Sequence, residues 1–123
     1  MCMPGRRRQV LDASAPISEI KAELFKALGH PARVRVLEVL ADGPRSVGEL
    51  QPLVGVELPN LSQQLAVLRH AGVVTTRKDG ASVIYAIRDP EIVKLLSVAK
   101  RVLINALAEG QDLLADLRAS GTR

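Results

Sequence analysis

Asn60, Ser62 and Gln63 are the side chains whose types and spacing best suit contact with another molecule. Amides and hydroxyls are the groups that hydrogen-bond base edges and phosphate oxygens. At about 100° per residue, Leu61, Leu65 and Leu68 fall within roughly 60° of one another on a helix. A helix through this stretch therefore buries the three leucines. It turns Asn60, Gln63, Ala66, Val67 and His70 the other way, with Ser62 on the flank. Gln64 lies nearer the leucines, where it can either join the contact or serve as a satisfied amide at the edge of the core. Taken alone, such a polar arc is an ordinary solvated helix face. What raises it above that is the company it keeps, because Arg69, Arg77, Lys78 and Arg88 follow within one short segment.

The charge balance has the same sense. The chain has 123 residues, a formal net charge of +4 and a sequence pI of about 9.7, a balance suited to a polyanionic partner. The excess is local. Arg6, Arg7 and Arg8 stand at the start and the later cations in the middle, while residues 90–120 are balanced. Phe25 and Tyr85 are the only aromatics and there is no Trp, so the stacking platform of a single-strand binder is missing. Double-stranded DNA is the partner this pattern fits.

Other classes are poorly supported. No nucleophile has a His and an acid nearby in sequence, and there is no glycine-rich phosphate loop and no carboxylate pair in a cleft-forming context. A catalytic site and a cofactor are therefore not expected. Cys2 is the only cysteine, which suits a reducing compartment. No apolar run reaches the length of a membrane span or follows the opening residues as a secretory signal would. The expectation is a cytoplasmic protein that makes no membrane contact.

The elements that must position the polar arc can be read from period and punctuation. Residues 1–15 lack periodicity and are expected to be a flexible basic arm. Ile17, Ile20, Leu24, Phe25 and Leu28 recur at helical spacing. Pro31 opens a second helix to about residue 40. Ser46 with Glu49 forms a capping-box pattern for a short third helix, and Ser46 is counted with the DNA-contacting candidates. A turn around Gly55 leads to the fourth helix, with Pro59 in its first turn and Gly72 beyond its end. The period then becomes alternating over 73–78 and 81–87, with Asp79 and Gly80 between the runs, which signals a hairpin. Arg77 and Lys78 flank that tip.

A long last helix begins near Pro90 and runs to about residue 107, or past Gly110 to about 117. Leu95, Ala99, Val102, Leu103 and Ala106 belong to an apolar arc too wide for one core-facing stripe. Its simplest cover is a symmetry mate. Ile20 and Leu24 of the first helix are expected to share in that dimer.

Helix, helix, short helix, turn, helix, hairpin and long helix is the order of a winged helix-turn-helix, mainly α with a small β-hairpin. The chain resembles the ArsR/SmtB family of winged-helix repressors. The resemblance is carried by LGHPARVRVL at 28–37, close to the family's L-x-x-P-x-R-x-x-I/V-L stretch. SVGEL at 46–50, LSQQLAVL at 61–68, AGVV at 71–74, RKDG at 77–80 and IY at 84–85 continue it. The match spans about residues 19–105 and implies a repressor that dimerises through its first and last helices and releases DNA when an inducer changes the dimer. Periodicity places those helices at about 17–28 and 90–118 of a domain spanning 16–120, and the two-fold symmetry of a dimer calls for an inverted-repeat operator.

Many such repressors sense metals through Cys in the third helix, or through His and acidic residues in the last. Residues 46–54 and 90–120 contain neither Cys nor His, and those are the ligands that hold Zn²⁺ at closed sites. Glu91 and Asp112 offer only a weak oxygen site. His30 reads as a capping residue and His70 as facing solvent or DNA. No metal site is expected, which leaves a small-molecule inducer, oxidation of Cys2, or no inducer at all. The rival reading is a winged-helix protein-interaction module, which would have little use for Asn60, Gln63, Arg77 and Lys78 together.

Overall fold

The structure is a computed structural model that describes residues 16–120. The basic arm, Arg6 to Arg8 and Cys2 lie outside the described residues. Two compact units follow one another, divided after Pro90.

The first unit contains α1 (Ile17–Leu28), α2 (Pro31–Leu40), β1 (Arg45–Ser46), α3 (Val47–Val54), α4 (Leu58–His70), β2 (Val74–Asp79) and β3 (Ser82–Ile87). Local chemistry sets most of these boundaries. His30 caps α2 by accepting the Ala32 N–H at Nδ1, 3.1 Å away, with Pro31 in the first turn. The Ser46 hydroxyl accepts the Glu49 N–H at 3.2 Å, and Glu49 Oε1 accepts the Ser46 N–H at 2.9 Å. That is a complete capping box. Gly72, at φ 80°, ends α4. Its N–H bonds to the Arg69 carbonyl at 3.1 Å, and that of Val73 to the Leu68 carbonyl at 3.0 Å. This is a Schellman ending, with Val73 and Leu68 both buried. The core is aliphatic, and Val36, Leu37, Leu50, Leu61, Leu65, Leu68 and Val74 are its fully buried members.

Two features differ from the sequence expectation. The sheet has three strands in the order β1-β3-β2, since Arg45 pairs with Tyr85 and Ser46 with Ile84. Two residues are too few to show an alternating pattern. The hairpin tip also sits one residue later than Asp79 and Gly80. Asp79 pairs with Ser82, leaving Gly80 and Ala81 as the loop. Gly80 has φ 62°, and among the described residues only glycines have a positive φ, so that of Ala81 is negative, which is the order of signs in a type II′ turn.

The second unit is α5 (Glu91–Ala119), one helix that runs unbroken through Gly110. None of its residues is buried. Leu103 is 64% and Leu107 69% exposed.

Candidate nucleic-acid interface

The turn that joins α3 to α4 is residues 55–57. Gly55 stands at φ 81° in the left-handed region, where its N–H reaches the Gln51 carbonyl at 2.9 Å. A Cβ there would meet nothing within 4 Å, so the demand for glycine is one of backbone conformation rather than space. A short turn of this kind between two helices is the geometry of a helix-turn-helix.

Along α4 the leucines are sealed inward as the period requires. Leu61, Leu65 and Leu68 are buried, and Asn60, Ser62, Gln63, Arg69 and His70 are exposed. Ala66 and Val67 are half-buried. Glu57 makes no side-chain capping bond, so first-turn N–H groups of α4 are left for water or an anion. The polar arc and an uncapped helix start thus lie together at one end of α4.

Gln64 needs a correction as a direct contact. It is only 6% exposed, with its Oε1 accepting from Arg33 Nη1 at 2.8 Å and its Nε2 donating to Asn60 Oδ1 at 2.9 Å. It is the satisfied amide at the edge of the core, and it acts on the exposed arc only through Asn60. Arg33 enters the sequence reading only as the Arg of the L-x-x-P-x-R stretch, with no role of its own. It shares a face of α2 with Val36, Leu37 and Leu40, all buried, at the i+3, i+4 and i+7 positions. A donor-only cation on an apolar face must find acceptors, and that was the signal.

Ser46 is half-buried and engaged in its cap. The Ser46 backbone N–H, held by Glu49 Oε1, keeps the Glu49 carboxyl below the ordinary carboxylate range. The Ser46 hydroxyl bond and the charge of Arg45 add to this. Arg45 Nε is itself buried with no hydrogen-bond partner among the described residues. In the wing, Arg77 and Lys78 are both exposed. Among the described residues no three His, Cys, Asp or Glu side chains come together in a metal-binding group, and no helix is long and apolar enough to cross a membrane.

A helix-turn-helix domain family matches residues 28–77, which run from the end of α1 into the wing. The chain is 54% identical over 110 residues to Rv0081 of Mycobacterium tuberculosis, an HTH-type transcriptional regulator that is itself uncharacterized. That match covers 89% of this chain and 96% of the relative. The crystal structure of Rv0081 superposes with a TM-score of 0.71 over 77% of this chain and 96% of that one. The transcriptional repressor BigR of Xylella fastidiosa superposes with a TM-score of 0.65 at 35% identity, over 69% of this chain and 87% of that one. A third solved structure is the homodimeric winged helix-turn-helix DNA-binding domain Mb0332 of Mycobacterium bovis, a possible ArsR-family regulator. It matches with a TM-score of 0.70 at 27% identity, over 87% of this chain and 95% of that one.

A helix-turn-helix followed by a basic hairpin defines a winged helix-turn-helix DNA-binding protein. The chain belongs to the ArsR family of transcriptional regulators, and regulation of transcription through DNA, rather than a protein-interaction role, is its function.

Proposed function

We propose that this regulator is a homodimeric repressor that binds an inverted-repeat operator, with α4 in the major groove and the β2–β3 wing against the backbone. The observation that carries the reading is the exposed arc of Asn60, Ser62 and Gln63 opposite a leucine-sealed face. Arg69, Arg77 and Lys78 supply charge for phosphate, and Ser46 caps the start of α3, the helix before α4. Repression is supported by the relatives that carry that name, BigR among them.

A dimer is supported by apolar surface on each unit taken separately. On α1, Ile17 is 70% and Phe25 58% exposed, while Ile20 and Leu24 are half-buried. On α5, Ala99, Val102, Leu103 and Ala106 are exposed and Leu95 is half-buried. A second copy of the chain is the proposed cover, as in the homodimeric Mb0332 domain. Footprinting on bound promoter DNA should protect two half-sites about one helical turn apart, with affinity falling steeply as salt rises. Protection of one asymmetric half-site would overturn the two-fold reading.

The inducing signal in this proposal is not a metal. The His30 Nδ1 lone pair is occupied by the Ala32 N–H, and the third and last helices offer no thiolate or imidazole. A small apolar molecule at the dimer surface, oxidation of Cys2, or simply the amount of repressor made would act instead. Titration of operator complexes with Zn²⁺, Ni²⁺, Cd²⁺ or arsenite should leave affinity unchanged. Release of DNA at stoichiometric metal, lost on mutating His30 or His70, would refute it.

A further inference from the structure

A hydrogen-bond chain runs from the end of α1 through α2 to the first turn of α4. Arg33 donates from Nε to the Ala27 carbonyl at 2.7 Å and from Nη2 to the Lys26 carbonyl at 3.2 Å. Its Nη1 donates to Gln64 Oε1 at 2.8 Å, and Gln64 Nε2 donates onward to Asn60 Oδ1 at 2.9 Å. A guanidinium has donors and no acceptor. The amide facing it must therefore present its oxygen, which leaves Gln64 only its NH₂ to turn toward Asn60. Asn60 must in turn present Oδ1. Side-chain amides are usually ambiguous about which arm is oxygen, but here the fixed polarity of Arg33 is passed along both. The arm of Asn60 left for another partner is Nδ2.

We propose that Arg33 and Gln64 are positioning residues that hold Asn60 as a hydrogen-bond donor toward DNA. Asn60 then meets an acceptor, either on a base edge (purine N7, guanine O6 or thymine O4) or on a phosphate oxygen. The paired donor-and-acceptor contact by which an Asn singles out adenine would have to use the second lone pair of Oδ1, beside the bond from Gln64, so the single donor contact is the one proposed. The proposal rests on the reading of α4 as the DNA-contacting helix.

The test measures binding of the full chain to its operator and to a library of operator variants. Asn60→Asp keeps an acceptor for Gln64 and replaces the outward donor with an acceptor, so it should bind about tenfold more weakly than Asn60→Ala. An Asn60→Asp protein that binds as well as Asn60→Ala overturns the proposal. Asn60→Ala also tells the two sources apart. It relaxes one position per half-site if the acceptor is a base, and weakens all sequences alike if it is a phosphate. No change in either affinity or preference overturns the proposal while wild-type sequence-specific binding leaves the reading of α4 intact. A wild-type chain with no preference among duplexes sinks that reading itself.

Positioning is read from a double-mutant cycle. Gln64→Glu still accepts from Arg33 but cannot donate to Asn60. It should weaken binding severalfold in the Asn60 protein and leave the Asn60→Ala protein unchanged. Equal losses in both backgrounds would mean a merely structural residue and overturn the proposal. One measurement needs no variant. In the unbound wild-type protein, the side-chain NH₂ of Gln64 should exchange with solvent slowly and that of Asn60 fast, and the reverse order overturns the polarity.

Discussion

Arg77 and Lys78 are adjacent in β2 yet stand on opposite faces of the wing. Arg77 lies across from Ile84, and Lys78 across from Val83. Directly paired residues share a face, and consecutive ones alternate. The Lys78 face continues inward through Thr76 and Tyr85 to the buried Val74. The Arg77 face is the outer one, which it shares with Asp79. Two cations so placed cannot clamp the same phosphate.

On the proposed reading the two cations meet different phosphates, so their losses should be separate. Lys78→Ala should weaken binding to all duplex sequences alike and lower the salt slope by about one unit per half-site. Arg77→Ala should add to it, and the double variant should show about the sum. Affinity measured against salt for the three proteins checks this, and a double variant no worse than either single one would mean a shared contact.

Gln63 is exposed on α4, and among the described residues no buried partner holds it as Gln64 holds Asn60. Gln63→Ala is expected to relax base preference at one position in each half-site, at a cost of about 1–3 kcal/mol if the contact is bidentate. Ranking operator variants by affinity checks it. An unchanged ranking would remove Gln63 from the reading face.

The exposed aliphatic surface of α5 makes dimerisation testable with one charge. Leu103→Asp puts a carboxylate where a partner chain is expected, and an unpaired buried charge is strongly unfavourable. Sedimentation should then show monomer or aggregate in place of dimer. A dimer that survives lies elsewhere on the chain.

The capping box gives a stability prediction with a pH sign. Ser46→Ala should cost about 1 kcal/mol, as loss of a cap does. Glu49 has a folded pKa below its unfolded one. Its stabilising effect is therefore present above the unfolded value and is lost as pH falls through the folded one. Being fully exposed, it makes the effect small. Chemical denaturation at neutral and acid pH should show Glu49→Gln losing less stability on acidification than the wild type. An identical acid loss would mean that the Ser46–Glu49 bond does not persist in solution.

How much of this was legible beforehand follows from the range of each interaction. Leu61, Leu65 and Leu68 declare the buried face of α4 by period. His30, Ser46, Gly55 and Gly72 declare helix ends because their capping bonds stay within about one turn of sequence. The alternating runs declare the wing for the same reason. The order of elements, the helix-turn-helix and the exposure of Asn60, Ser62 and Gln63 were therefore readable from residue types and spacing alone.

What needed the tertiary structure depended on residues distant in sequence or on competing local preferences. Arg45 and Ser46 become a strand only because Tyr85 and Ile84 offer them an edge. Asp79 and Gly80 carried a good turn signal, but the pairing of Asp79 with Ser82 moved the turn by one residue. Gly110 is a weak helix former, yet its neighbours carry α5 through it. Gln64 is drawn into the edge of the core because Arg33, 31 residues earlier, needs an acceptor there. A hydrogen bond across that separation leaves no periodic mark, and only folding brings its two ends together.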